Sequence, residues 1–198
     1  MSEKANFAQS KALRRMGWGL LFELIDIRIV AFDLLPDFIG YILIASALSA
    51  LGGLHAGFRR ARWAAIAMIA LTLPNVLVTS NAGFADMGVL PLGLHLYGQA
   101  LLAVHVLMAY WIFDGLRHMA ARAGDIGLQA AAELRMQLYM AVNFAQLAAY
   151  PFVLNAGDDM IEVLLVAGVL AFIMELLLLG LTFKTAKRRP LAEDESEN

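Results

Sequence analysis

The residues of this chain best placed for chemistry are two glutamates and a histidine in strongly apolar surroundings, Glu23, His105 and Glu175. Glu175 lies in the run FIMELLLL, where Phe172, Ile173, Met174, Leu176, Leu177 and Leu178 offer it no local polar partner. Counted inward from the basic end of each apolar segment, Glu23, Thr72, His105, Gln146 and Glu175 fall about seven to nine residues deep, roughly 10 to 14 Å along a helix. Carboxyls and an imidazole at one depth can pass a proton among themselves, the chemistry of relays and of coupling sites in small transporters. The simpler reading is structural: polar side chains hydrogen-bond between helices and fix their register, each contributing about 0.6 to 2 kcal/mol.

A second group surrounds the turn at Leu35-Pro36. At 100° per residue Glu23, Asp26 and Asp33 fall within about 80° of one another, and Arg28 points about 140° away from Glu23. Arg28 with Asp33 and Asp37 reads as a salt bridge that pins a helical hairpin, in preference to an anion-binding arginine. Tyr139, Asn143, Gln146 and Tyr150 make one polar stripe at helical spacing, whose default role is contact with neighbouring helices. Catalytic signatures are absent: no H-E-x-x-H, G-x-S-x-G, phosphate loop or dinucleotide fingerprint occurs. His55, His95, His105 and His118 are spread over different depths, which argues against a shared metal site, and nothing calls for a cofactor. The expectation is a chain that is not an enzyme.

These side chains must be positioned by helices in lipid. Of 198 residues, 61% are hydrophobic and 16% charged, outside the usual range of soluble domains. Without cysteine there is no disulfide framework and no thiolate chemistry. Six apolar segments can be marked, at about 16–32, 38–54, 63–80, 89–113, 138–154 and 160–183. Helices are the expected form, since backbone groups in lipid have to be satisfied within the segment. The first two segments are short for a hydrocarbon core that takes about 20 residues to cross, so residues 16–54 read as a full or a shallow hairpin.

Basic residues set the orientation. Lys4, Lys11, Arg14 and Arg15 precede the first segment; Arg59, Arg60 and Arg62 follow the second; Arg117, Arg122 and Arg135 lie between the fourth and fifth; Lys184, Lys187, Arg188 and Arg189 follow the sixth. With six spans all of these share one side, which the positive-inside rule makes cytoplasmic together with both termini. The opposite loops carry Asp33, Asp37, Asp86, Asp158, Asp159 and Glu162, read as residues that keep short loops wet, with a cation-attracting rim as the alternative. Pro74 should interrupt the third helix, and Asp125, after the break at Gly124, should cap the fifth. Residues 1–183 read as a single integral membrane domain, and 184–198 as a basic, then acidic, disordered tail. Ridges of small residues (Ala45, Ser49, Gly53; Ala141, Ala145, Ala149) mark close helix contacts, within the chain or between copies. The expected partners are the lipid bilayer and a second copy or another membrane protein, not nucleic acid.

The run IDIRIVAFDLLPDFIGYILIASALSALG resembles an uncharacterised group of small multi-pass membrane proteins from Gram-positive bacteria that share an LPDFIGYILI-like turn and second helix. The resemblance implies a location in the bacterial cytoplasmic membrane and no particular activity. DLLPDFIG is also similar to the D-L-I-P-D-F-I-P signature of another small bacterial helical family, but Gly40 stands in place of its second proline and nothing carries over. The expectation is therefore an all-α polytopic membrane bundle of about six helices with a short N-terminal helical hairpin. Its role would be structural, regulatory or partner-binding, with a small proton-linked transporter or ligand-binding membrane protein as the alternative.

Overall fold

The structure, a computed structural model, describes residues 3–24, 28–29, 32–33, 37–77, 91–153 and 161–188. These form six helices: α1 (Glu3–Leu24), α2 (Asp37–Leu51), α3 (Ala56–Leu77), α4 (Leu92–Arg122), α5 (Ile126–Val153) and α6 (Ile161–Lys187). Between α1 and α2 lies a short antiparallel pair, β1 (Arg28–Ile29) and β2 (Phe32–Asp33), with Arg28 opposite Asp33. Each helix packs against the next in sequence, and α6 closes the arrangement against α1.

The first described residues and the last share one end of the bundle. Ser10 Oγ donates to the Ala186 carbonyl at 2.6 Å, Arg188 pairs with Asp125, and Arg122 donates to the Leu54 carbonyl at 3.1 Å. The basic residues of α1, α3, α4 and α6 lie toward that same end. Gly124 takes φ +67°, a left-handed conformation that suits glycine, and Asp125 Oδ1 accepts the Leu128 N–H at 2.8 Å as the cap of α5. At the α2–α3 turn His55 Nδ1 accepts the Gly57 N–H at 3.0 Å and caps α3.

Helices α1, α3, α4, α5 and α6 extend past the apolar segments at this basic end, because lysine and arginine are good helix formers and do not halt a helix where hydropathy falls. The largest difference is at α1. It starts at Glu3 and stops at Leu24, where a single helix to residue 32 was expected, and the β pair occupies part of the remainder. The residues after Leu24, IDIRIVAFDLLPDF, are rich in β-branched, aromatic and turn-forming types, and Pro36 disfavours helix at residue 35. Pro74 falls in the last described turn of α3, which runs through it to Leu77; the residues that follow lie outside the described set. Lys184 and Lys187 belong to α6 and not to a tail; residues 189–198 lie outside the described set.

The buried core, including Leu13, Met16, Ile44, Leu48, Phe58 and Ile112, fills the half of the bundle nearer the basic end. Glycines let α1 and α2 approach closely there. A Cβ on Gly19 would stand 2.8 Å from the Gly40 carbonyl oxygen, and one on Gly40 2.8 Å from that of Gly19. The expected small-residue ridges do not make this contact: Ser49, Gly53, Ala141 and Ala145 are exposed. Two helices, Leu92–Arg122 and Leu165–Lys187, are long and apolar enough to cross a membrane, and α2 is apolar but shorter.

Candidate functional site

Glu23, near the C-terminal end of α1, and Tyr41, in the first turn and a half of α2, are brought together by the Gly19–Gly40 contact. The Tyr41 hydroxyl donates to Glu23 Oε1 at 3.1 Å and lies 3.1 Å from His105 Nδ1 on α4. Nδ1 is itself 3.3 Å from Glu23 Oε1. On the other side of the ring, Nε2 lies 2.9 Å from Glu175 Oε1 on α6, and that oxygen accepts the Tyr139 hydroxyl of α5 at 2.5 Å. Five helices thus meet through five polar side chains. Tyr139 is fully buried, and Glu23 and Glu175 each keep 18% of their side-chain surface accessible.

The hydrogen bonds constrain where protons can sit. With the Tyr41 hydrogen on Glu23, His105 Nδ1–H is the donor to the Tyr41 oxygen. The contact between Nε2 and Glu175 then requires a proton of its own, held by the imidazole or by the carboxyl. Either placement leaves the Glu23–His105–Glu175 trio with one negative charge, and one further proton makes it neutral. Three groups in such contact titrate as a unit. An imidazole that faces a carboxylate through each nitrogen can accept a proton on one side and release it on the other.

Of the five residues expected at one depth, Glu23, His105 and Glu175 are brought into contact. Thr72 is buried but donates back to the Met68 carbonyl of its own helix at 2.8 Å. Gln146 has a buried Oε1 with no hydrogen-bond partner and is not joined to the trio. The level also differs: at 1.5 Å per residue, Glu175, Tyr139 and His105 lie about 18 to 26 Å from the basic ends of their helices, against the 10 to 14 Å expected. The count began at the apolar boundary, and the helices begin earlier. The trio is therefore near mid-helix, with α4, α5 and α6 running about 20 Å beyond it. Helices α1 and α2 do not. The described part of α1 runs to one residue after Glu23 and that of α2 starts four before Tyr41, with the β pair between them, so the trio lies at the level of the break between the two helices.

Tyr41 went unnoticed in the sequence because a tyrosine in an apolar helix reads as core; its signal was its spacing one residue after Gly40. The polar stripe of α5 faces its neighbours and itself. Tyr139 reaches Glu175, Asn143 donates to the Tyr139 carbonyl at 2.9 Å, and Tyr150 lies 2.7 Å from His95 Nδ1 on α4. The backbone register sets Arg28 opposite Asp33, but the side chains of Arg28, Asp33 and Asp37 lie outside the described residues, as does Asp26.

A second cluster forms at the basic end. His55 and His118, separated widely in sequence, stack with ring centroids 3.9 Å apart, and Asp114 lies 3.6 Å from His55 Nδ1 and 3.4 Å from His118 Nδ1. Burial holds the His55 pKa below its ordinary value, with His118 acting in the same direction, Asp114 opposing, and Arg122 and Arg117 adding to the lowering. The spread of four histidines over different depths thus conceals a pair. Both trios bring histidine and carboxylate donor atoms within 4.8 Å of one another. In the first the two nitrogens of one ring serve opposite carboxylates, and an ion can take only one of them. In the second, Nδ1 of His55 already accepts the Gly57 N–H and Nδ1 of His118 donates to the Asp114 carbonyl at 2.9 Å, so both facing nitrogens are engaged within the fold.

Comparison with protein-family models, curated proteins and solved structures finds no match for this chain. The functional reading therefore rests on the geometry.

Proposed function

We propose that the chain is a multi-pass integral membrane protein in which Glu23, His105 and Glu175 form an intramembrane proton relay, with proton-linked transport as its activity. The membrane part is supported by the outward apolar faces. Only 33% of the apolar stretch in α4 and 22% of that in α6 is buried, so neither behaves as the core helix of a soluble domain. Val166, Val169, Leu170, Phe172 and Ile173 on α6 would expose a continuous apolar patch to water, which monomeric soluble proteins avoid. In this reading both ends face the cytoplasm, because the arginines and lysines gather at one end. The α1–α2 hairpin enters from that side, and the resemblance of residues 25–52 to bacterial multi-pass proteins agrees with a cytoplasmic membrane.

One observation carries the relay: His105 bridges two carboxylates through opposite ring nitrogens at the level of the break between α1 and α2. Broken helices that stop at mid-membrane build the ion and substrate sites of many secondary transporters. The close α1–α2 contact favours a second reading, a scaffold in which the same bonds only lock helix register. Proteoliposomes loaded with a pH-sensitive dye separate the two. A relay that conducts protons gives a flux driven by a pH gradient, abolished by Glu175→Gln. A flux absent from the native protein, or unchanged by the substitution, rejects transport.

A further inference from the structure

A groove of about 330 Å³ runs between α3 and α4, lined by Arg60, Trp63, Ala64, Val104, Leu107 and Trp111. Among the described residues Arg60 is its only charged lining residue. Because α3 and α4 are antiparallel, Arg60 and Trp111 stand toward the basic end, and Leu107 and Val104 lie deeper. Trp63 is 66% exposed, and the Arg62 guanidinium lies 5.8 Å from its ring centroid. Among the described residues no carboxylate lies within ion-pair distance of Arg59, Arg60 or Arg62, so this arginine group has no counter-charge within the described bundle. Tryptophan beside arginine above an apolar slot is the arrangement expected at the headgroup level of a bilayer. A slot that is apolar at depth and cationic at its mouth matches a molecule with a hydrocarbon chain and an anionic head.

We propose that the α3–α4 groove binds an anionic phospholipid, with one acyl chain along Val104, Leu107 and Trp63 and the phosphate at Arg60. The proposal rests on the membrane reading and is independent of the relay. Lipid bound there would sit against α4, the helix that carries His105.

The test uses the full chain in phosphatidylcholine vesicles with Trp18→Phe, so that emission comes from Trp63 and Trp111. A low mole fraction of brominated phosphatidylglycerol should quench about fivefold more effectively than the same fraction of brominated phosphatidylcholine, the ratio expected for one basic residue at an anionic headgroup. Arg60→Gln, at an exposed position, should bring the two lipids to equal quenching, and Val104→Phe, which fills the slot, should do the same. Equal quenching in the parent protein, or selectivity that survives Arg60→Gln, overturns the lipid site and leaves the membrane reading intact. No quenching by either lipid overturns both.

Discussion

The same residue types make two different devices in this molecule. Glu23, His105 and Glu175 lie at mid-bundle, with one imidazole between two carboxylates and each ring nitrogen facing its own. His55, Asp114 and His118 lie at the basic end, with two imidazoles stacked beside one carboxylate and Arg117 donating to that carboxylate at 3.3 Å. The first set is excess acid in an apolar interior and can lower its charge only by holding protons. The second is excess base at a wet end, where arginines and water screen each charge. Composition does not distinguish them; the number of helices that converge and their distance from the charged end do.

Glu175→Ala should have the largest effect, since it removes one partner from a buried charged network, and a loss of about 3 kcal/mol in a denaturant titration in detergent is expected. A loss below the error of the titration would mean that the contact contributes nothing. Gly40→Ala should follow, at about 1 to 3 kcal/mol, because a Cβ there overlaps the Gly19 carbonyl and drives Tyr41 from Glu23. Tyr139→Phe, which deletes a hydrogen bond to a charged acceptor, should cost about 1.5 to 3 kcal/mol in the same titration, and a loss within its error would mean that the contact contributes nothing.

Smaller effects belong to the basic end. Asp114→Ala should cost no more than about 1 kcal/mol, since its partners are half-buried at the charged end and partly screened. The His55 pKa is held below its unfolded value, so the unfolded chain binds the proton first. Stability should be unaffected above about pH 6.5, fall as pH drops through that value, and level off once the folded His55 is also protonated. His55→Asn, which retains an N-cap acceptor, should flatten this dependence in thermal scans over the same range. A dependence that persists in the variant would assign it to another group.

Much of the helical content was legible. Apolar runs located α2 to α6, Gly124 and Asp125 marked a turn, and the isolation of Glu175 among leucines showed that it needed a partner from another helix. Depth counting placed His105 and Glu23 in one layer with it, together with Thr72 and Gln146, which do not join; the absolute depth was short because the helices that carry these residues extend past their apolar segments. The end of α1 at Leu24 was hidden because Ile25, Ile27 and Ile29 continue an apolar pattern that serves helix or strand equally. The His55–His118 stack was hidden because contact between residues far apart in sequence is a property of the packed bundle. Tyr41 was hidden for a third reason: its role depends on a close approach of backbones at Gly19 and Gly40, which leaves no mark in hydropathy.

Infrared difference spectroscopy of the reconstituted protein as pH is varied tests the central claim most directly. If His105 shares a proton with Glu175, a protonated-carboxyl band should appear and vanish with pH, disappear in Glu175→Gln, and shift its midpoint in His105→Gln. A carboxyl band insensitive to His105→Gln, or no titrating band from Glu23 or Glu175 at any pH at which the protein is folded, would contradict the relay.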